Sequence, residues 1–294
     1  MSSKSQKILV PIGFTNQSII ALQQAVIFAK ATQSDIVILT VLELPSTLGL
    51  LFSNFESQQE EMKSKAEVKL HALKEQYCQG VNVECAVAVG KVYEKIVEVA
   101  EQFEVNLIIL GTDGTAKNIK KKFIGSNAYK VVRSASMPVV TIKGKEIRKQ
   151  CRVIALPLDL HKETREKVSY AIEFARLLNS SIHVFSVSLE NNDDVVKNKL
   201  KQTLSQVNTF ITSKGIPTSM AFVEIDGSDG FSNSIINYSK DIEADLMMIM
   251  TKEESNLELN FLGSNAQKII NNSDIPVMSI RPAIKKDLTS FTIQ

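Results

Sequence analysis

The chain has 294 residues, of which 44% are hydrophobic and 22% are charged, and its formal net charge is +2. This composition is ordinary for a globular protein, and at roughly 150 residues per domain the length predicts two domains. The weak basic excess argues against a nucleic-acid partner, and apolar runs such as residues 36–42 are far shorter than the roughly 20 residues that cross a membrane.

The sequence favours a cytoplasmic protein. The opening MSSKSQKILVPIG lacks the long apolar core of a signal peptide. Three widely spaced cysteines are then expected to be reduced, and the three histidines show no metal-ligand spacing. The two halves differ in charge, because residues 1–149 carry an excess of 5 basic residues and residues 150–294 an excess of 3 acidic ones. A small anion would therefore prefer the first half.

Short apolar runs alternate with amphipathic segments along the first half, which predicts strands alternating with helices. The predicted strands are 7–12, 35–43, 82–90, 106–111 and 139–143, and the predicted helices are 18–31, 56–79, 92–103 and a last one from Gly125 onward. We expect Pro138 to stop that last helix just before the fifth strand.

The second half repeats the same order. The predicted strands are 152–158, 181–189, 218–227, 245–250 and 277–281, and the predicted helices are 165–179, 193–215, 231–243 and one from Gly263 to a stop at Pro276. The segment FIGSNAYKVVRSASMPVVTIK (123–143) returns as FLGSNAQKIINNSDIPVMSIR (261–281), with nine of 21 positions identical. One unit is thus present twice.

Strands that alternate with helices predict an α/β fold with two tandem doubly wound domains, each a five-stranded parallel sheet with helices on both faces. We assign the first domain to 1–146, the second to 150–283 and a C-terminal tail to 284–294. The fifth strands are expected to be sheet edges that need a partner. Their antiparallel pairing would relate the two domains by a pseudo-twofold axis within one chain.

A ligand of such a sheet would lie beyond the carboxyl ends of the strands. After the fourth strand the first half runs GTDGTAKNIKKKFIGSNA. Gly111 and Gly114 allow close backbone approach, and the helix that begins at Gly125 and Ser126 offers free N–H groups to an anion. Ser126 is expected either to cap this helix or to contact a phosphate.

At these residues the chain resembles the universal stress proteins. The resemblance covers both halves and includes the opening ILVPI, the segment VGKVYEKIVEVAEQFEVNLIILGTDG (89–114) and the GSNA–Pro–VV ending. It implies a stress-response or signalling module that binds ATP or a related adenine nucleotide, with or without Mg. It also implies no strong catalytic activity, although slow hydrolysis of bound ATP is compatible with it.

The resemblance places the nucleotide on eight residues of the first half. These are Pro11, Val41, Leu110, Gly111, Gly114, Gly125, Ser126 and Asn127. Two departures weaken the match: ten residues separate Gly114 from Gly125 where the family has nine, and Gly13 replaces an acid that would touch the nucleotide.

The second half departs in the opposite direction. Asp159 restores the acid, but Met250 and Glu253 occupy the positions of the two loop glycines, and only Gly263 and Ser264 remain. Its loop is acidic at Glu253, Glu254 and Glu258, whereas the first loop is basic at Lys117, Lys120, Lys121 and Lys122. The first half is therefore the better nucleotide site, and the second half is expected to be a structural or regulatory partner.

Other readings stay open at this point. In one, both sites are degenerate and the chain is a nucleotide-free interaction protein; homo-oligomers are compatible with either function. A nucleotidyl transferase is disfavoured because no His-x-x-His motif follows either first strand. The apolar segment 44–55 is expected to pack on its own domain, with a lid or a partner-binding patch as alternatives.

Overall fold

The computed structural model describes residues 6–43, 55–112, 125–159, 164–251 and 263–281. The chain divides into two compact units, Met1–Ile147 and Arg148–Gln294. In the described ranges, no helix combines the length and the apolar character needed to span a bilayer.

The described residues of the first unit form five strands and four helices. The strands are β1 (Lys7–Pro11), β2 (Asp35–Leu42), β3 (Val83–Val89), β4 (Leu107–Gly111) and β5 (Val139–Ile142). The helices are α1 (Asn16–Thr32), α2 (Phe55–Tyr77), α3 (Val92–Gln102) and α4 (Ser126–Ser134). All strand pairs are parallel, in the order β3-β2-β1-β4-β5, so the order reverses between β1 and β4.

Burial follows from this order. The central strands β1 and β4 are covered on both sides and are almost wholly buried, with Leu9, Ile108 and Ile109 fully shielded from solvent. Helix α1 contacts α2, and α3 contacts α4, so the helices form two pairs, one for each face. Thr15 starts α1 with a reciprocal capping box to Ser18.

The second unit repeats this architecture. Its strands are β6 (Val153–Pro157), β7 (Ser181–Leu189), β8 (Thr218–Ile225), β9 (Leu246–Met250) and β10 (Val277–Ile280). Its helices are α5 (Thr164–Leu178), α6 (Asp194–Ser213), α7 (Phe231–Asp241) and α8 (Ser264–Asn272). The strands are parallel in the order β8-β7-β6-β9-β10. Two doubly wound α/β units are therefore confirmed.

The duplication extends to single backbone angles. Gln33 after α1 and Asn179 after α5 have φ angles of 53° and 54°, and Glu104 after α3 and Glu243 after α7 have 51° and 52°. Left-handed backbone is unusual for residues other than glycine. The same left-handed turns thus follow the same helices in both units.

The prolines of the repeated segment do not end their helices. α4 ends at Ser134 and α8 at Asn272, each four residues before the proline. Instead, the carbonyl oxygen of Pro138 accepts from Ile108 N at 3.1 Å, and that of Pro276 accepts from Met247 N at 2.9 Å. Each proline starts the pairing of the fifth strand, at a position that needs an acceptor but no donor.

The start of the second unit is held by one carboxylate. Asp245 accepts from Arg152 N at 2.7 Å and Val153 N at 3.2 Å, and it pairs with Arg148 at 3.3 Å. In the first unit the same task falls to an amide, because Asn106 Oδ1 accepts from the backbone of Lys7 at 3.0 Å. Both contacts tie the start of the first strand of a unit to the residue before its fourth strand.

Candidate functional site

The carboxyl ends of three strands define the candidate site of the first unit. β1 ends at Pro11 and β4 at Gly111, on either side of the point where the strand order reverses. Leu110 is buried within β4, and Val41 lies near the end of the neighbouring β2. These predicted residues share the edge of the sheet where ligands of doubly wound folds bind.

Thr112 places the start of α4 directly beyond the end of β4. Its backbone N–H donates to the carbonyl oxygen of Ile142 at 3.1 Å, and its own carbonyl accepts from Gly125 N at 2.7 Å. Thr112 is buried. The two ends of the connection 113–124 are therefore held next to each other.

Thr112 was not among the residues predicted from the sequence, although a threonine stands at the same place in both copies of the repeat. In the second unit Thr251 follows β9 as Thr112 follows β4. Thr251 N donates to the carbonyl of Ile280 at 2.9 Å, and Gly263 N donates to Thr251 at 2.9 Å. A threonine that recurs at one place in a diverged pair of loops marks a structural anchor.

The first turn of α4 supplies backbone donors at this edge. Gly125 is the N-cap, and among the described residues no side chain caps the helix. Of the two roles expected for Ser126, that of the N-cap is wrong, because Ser126 and Asn127 are the first two helical residues. Amides of a first turn have no intrahelical acceptor, and the helix dipole adds positive potential there. With no acidic residue in this turn, the position suits an anion.

Gly111 has a packing role that the sequence did not reveal. A Cβ atom built on it would lie 2.7 Å from the carbonyl oxygen of Gln17 and 2.8 Å from its carbonyl carbon. Gln17 is itself buried, and its Nε2 donates to the carbonyls of Ile142 at 2.8 Å and Gly144 at 3.2 Å. Gly111 therefore lets α1 lie against β4, whatever contact it makes with a ligand.

Gly13 opens space beside β1. A Cβ atom added there would meet no atom of the described residues within 4 Å. The preceding residue is fixed, since Ile12 N donates to Leu39 at 2.7 Å and Thr40 Oγ1 donates to Ile12 at 2.9 Å. A side chain or a ligand could fill the position beside Gly13 without moving this backbone.

Several predicted features lie outside the described residues. They are Gly114, the basic loop with Lys117, Lys120, Lys121 and Lys122, the acidic loop with Glu253, Glu254 and Glu258, the tail 284–294, and the apolar segment from 44 to 54.

The second unit contains a cavity of about 350 Å³ at the equivalent edge. A volume near the lower end of the range for ligand pockets, roughly 300–1,000 Å³, is sufficient for a small organic molecule. The described residues of its wall are mostly apolar; they are Pro157, Leu158, Asp159, Lys167, Val187, Phe231, Ile235, Ile249, Met250, Asn265, Ala266 and Ile269.

Two opposite charges belong to this wall. Lys167 is only 4% exposed, and its Nζ donates to the carbonyl of Pro157 at 2.6 Å. Asp159 lies two residues after Pro157 in the chain and is half-buried. The sequence analysis named Asp159 but not Lys167. The available signal was that Lys167 directly precedes Val168, a buried apolar residue of α5, because a lysine among buried positions is unusual.

A polar cluster lies elsewhere in the second unit, around the early part of β7. His183 Nδ1 is 2.7 Å from Ser219 Oγ, and its Nε2 is 3.0 Å from Tyr238 Oη. Burial lowers the pKa of His183 below its ordinary value. Among the described residues, no group of three or more His, Cys, Asp or Glu side chains is placed to hold a metal ion.

The sequence profile of the universal stress protein family matches residues 4–143 and 224–281, which together span more than half of the chain. The chain belongs to this family. Both units contribute to the match, as the duplicated sheet order requires.

Known relatives agree with a repeated unit. A universal stress protein of Methanocaldococcus jannaschii is 29% identical over 161 residues, which are 49% of this chain and 99% of the relative. A second universal stress protein of that organism is 26% identical over 140 residues, 47% of this chain and 82% of the relative. Each relative therefore corresponds to about half of this chain.

A solved structure matches the whole chain. The crystal structure of a universal stress protein from Archaeoglobus fulgidus covers 96% of this chain and 98% of its own, with a TM-score of 0.72 and 17% identity. At this identity the likeness concerns the fold.

Proposed function

We propose that this universal stress protein binds ATP, or a closely related adenine nucleotide, in its first unit and acts as a stress-response or signalling module. The observation that carries the proposal is the pair of hydrogen bonds at Thr112, which set the start of α4 directly beyond β4. Thr251 makes the same pair in the second unit, and we choose the first unit because it has Gly111 where the second has Met250. The phosphates would lie on the first-turn amides of Gly125, Ser126 and Asn127. The base would lie near Pro11, Val41 and Leu110.

The resemblance extends this assignment to Gly111 and Gly114 as the close-approach positions of the phosphate loop. The basic residues of the 113–124 connection would add charge-assisted contacts, and Mg could accompany the phosphates. We expect no dedicated catalytic activity, and slow hydrolysis of bound ATP is compatible with the proposal. The cytoplasmic location inferred from the sequence stays a prediction.

Calorimetric titration of the nucleotide-stripped protein with Mg·ATP tests the proposal. Ser126→Glu adds a carboxylate to the first turn of α4, where the helix itself tolerates an acid but a phosphate is repelled. We expect this variant to lose roughly tenfold or more in ATP affinity. Ser264→Glu makes the same change at the start of α8 and should leave the affinity within about twofold. Equal losses in both variants would refute the assignment to the first unit.

Gly13→Asp provides the complementary gain. The family carries an acid at this place, and the space beside Gly13 is open. The new carboxylate should strengthen ATP binding without lowering the melting temperature.

The second candidate function is a nucleotide-free interaction protein. The absence of a side chain at Gly13 favours it, because one polar nucleotide contact is lost. If neither the natural protein nor Gly13→Asp gives heat with Mg·ATP, this function replaces the first.

Pairing of the two units through their fifth strands stays a prediction from the sequence, and so does any homo-oligomer. Within the first unit β5 pairs with β4 on one side. In a parallel strand, successive amides point to opposite neighbours. Slow hydrogen exchange at all four residues of Val139–Ile142 would support pairing on both sides, whereas fast exchange at alternate residues would contradict it.

A further inference from the structure

The polar cluster of the second unit joins three side chains from β7, β8 and α7. His183 on β7 stands directly opposite Ser219 on β8. Its Nδ1 lies 2.7 Å from Ser219 Oγ, and its Nε2 lies 3.0 Å from Tyr238 Oη. One imidazole therefore links an exposed serine to a half-buried tyrosine.

The first unit makes the same contact between helix and strand without these polar groups. α3 contacts β2 as α7 contacts β7. The third residue of β7 is His183, and the third residue of β2 is Val37. The eighth residue of α7 is Tyr238, and the eighth residue of α3 is Val99. Because Val37 and Val99 are both buried, the fold does not require a histidine and a tyrosine at these positions.

His183 has the properties of a general base. Burial lowers its pKa, so the ring is uncharged at neutral pH and one of its nitrogens accepts a proton. With the ring proton on Nε2, that nitrogen donates to Tyr238 Oη, and Nδ1 accepts from Ser219 Oγ. The Tyr238 ring packs on the buried Phe185 with 4.8 Å between the ring centroids. The tyrosine is therefore held where it can favour the tautomer in which Nδ1 faces the serine.

The serine of the cluster is open to solvent. Ser219 is exposed on β8, the outermost strand in the sheet order of the second unit. Side chains of alternate strand residues share one face, so Ala221 and Val223 lie on the same face as Ser219. Both are half-buried. An apolar group attached to the serine would thus lie along an apolar strip.

A backbone donor lies next to the serine. The carbonyls of Pro217 and Ile225 accept from β7, at Ile182 N and Glu190 N, so the odd-numbered residues of β8 turn their backbone to β7. Successive residues of a parallel strand face opposite neighbours. The amide of Met220 therefore points away from β7, where no strand of the described ranges pairs with β8.

We propose that Ser219 is a nucleophile that accepts an acyl group from small carboxylic esters, with His183 as its general base and Tyr238 as a positioning residue. Ser219 Oγ attacks the ester carbonyl carbon while His183 Nδ1 takes the hydroxyl proton. The bond from this carbon to the ester oxygen breaks, and the proton passes to the departing alcohol. Water then attacks the acyl-serine with Nδ1 as base, which releases the carboxylic acid and restores the serine. The Met220 amide lies beside the oxyanion that develops in both steps.

The test is incubation of the full chain with p-nitrophenyl acetate, with p-nitrophenolate followed by absorbance and acetylated residues located by peptide mass spectrometry after an acid quench. Ser213 is the matched serine, because it is exposed and its Oγ donates to the carbonyl of Phe210 at 2.7 Å instead of to a base. We expect Ser219 to be acetylated at least roughly a hundredfold faster than Ser213, which is the lower range of general-base catalysis. Equal acetylation of the two serines would overturn the proposal.

Variants separate the nucleophile from the base. Ser219→Ala should lower the release of p-nitrophenolate, whereas Ser213→Ala should not change it. His183→Gln should slow acetylation of Ser219 by roughly a hundredfold. Unchanged release in Ser219→Ala would refute the nucleophile, and unchanged acetylation in His183→Gln would refute the base. Because Ser219 is exposed, Ser219→Ala keeps the assay decisive if His183→Gln fails to fold.

The positioning role of Tyr238 has a spectroscopic readout. In the natural protein, ¹⁵N NMR of His183 should show the tautomer protonated on Nε2, and in Tyr238→Phe it should show a mixture of both tautomers. Acetylation of Ser219 should slow in this variant, but less than in His183→Gln. Slower acetylation with an unchanged tautomer would contradict the positioning role, because loss of packing alone would give that result.

Discussion

Gly111→Ala measures how closely α1 approaches the end of β4. The added Cβ would lie 2.7 Å from the backbone oxygen of Gln17, 2.8 Å from its backbone carbon and 2.9 Å from its Cγ. Two of these atoms are backbone, so the clash is relieved only if the start of α1 moves. That movement stretches the hydrogen bonds from Gln17 Nε2 to Ile142 and Gly144.

The magnitude follows from three contributions. Overpacking costs about 1–3 kcal/mol, and one weakened hydrogen bond adds about 1 kcal/mol. The lower entropy of the unfolded chain after Gly→Ala offsets about 0.4–1 kcal/mol. We expect a net destabilisation of about 2 kcal/mol, which for a unit of this size lowers the melting temperature by about 4–8 °C.

The assay is thermal and urea unfolding of the full chain beside Gly13→Ala. Gly13 is the matched control, because its new Cβ would meet no atom within 4 Å in the part of the chain that the structure describes. For Gly13→Ala we expect no loss of stability or a gain below about 1 kcal/mol. If Gly111→Ala unfolds like the natural protein, or if both variants are equally destabilised, close packing does not explain the glycine. A loss of ATP affinity in Gly111→Ala without loss of stability would instead indicate direct contact with the ligand.

Three further outcomes are expected. Asp245→Ala should lower the free energy of unfolding, measured in urea, by about 2–3 kcal/mol, because it removes the acceptor for Arg152 N and Val153 N. Asp245→Asn should lower it by only about 1 kcal/mol, because an amide accepts the equivalent bond at Asn106, and equal losses in the two variants would contradict this. Burial lowers the pKa of His183, so on acidification the unfolded chain is protonated at this residue before the folded chain is. Stability should therefore fall as the pH drops from about 6.5 through the lower folded pKa, and the melting temperature of His183→Gln should depend less on pH. Burial raises the pKa of Cys78 to about 11 and of Cys151 to about 12, so both side chains stay protonated and unreactive at pH 8. Mass spectrometry after iodoacetamide treatment at pH 8 should find both cysteines unmodified until the chain is unfolded, and rapid labelling of either would contradict this.

The sequence predicted the elements well because their signals are local. Apolar runs and helical periodicity depend on neighbouring residues, and every strand and helix in the described ranges lies within a few residues of its predicted range. Because the unit occurs twice, each strand and helix was predicted from two stretches of sequence. The C-terminal ends of α4 and α8 were predicted less accurately, because Pro138 and Pro276 do not end these helices but pair with strand residues about 30 positions away.

The sequence predicted which residues lie at the candidate site, but it did not predict the residues that hold them in place. Strand ends and the start of α4 follow from fold topology, so Pro11, Leu110, Gly111 and Gly125 could be named from the sequence. Thr112 was missed: its recurrence as Thr251 marks the position in the sequence, but only the structure shows that it bonds to Ile142 and Gly125.

The sequence by itself determined the family, the duplication and the order of strands and helices, because each depends on residue patterns within one segment. Only the tertiary structure decided that Gly111 serves the packing of Gln17 and that Lys167 is buried in the wall of a cavity. Both facts depend on how closely a helix lies against a strand far away in the chain. Such distances are set by packing of the whole unit, and no local pattern records them.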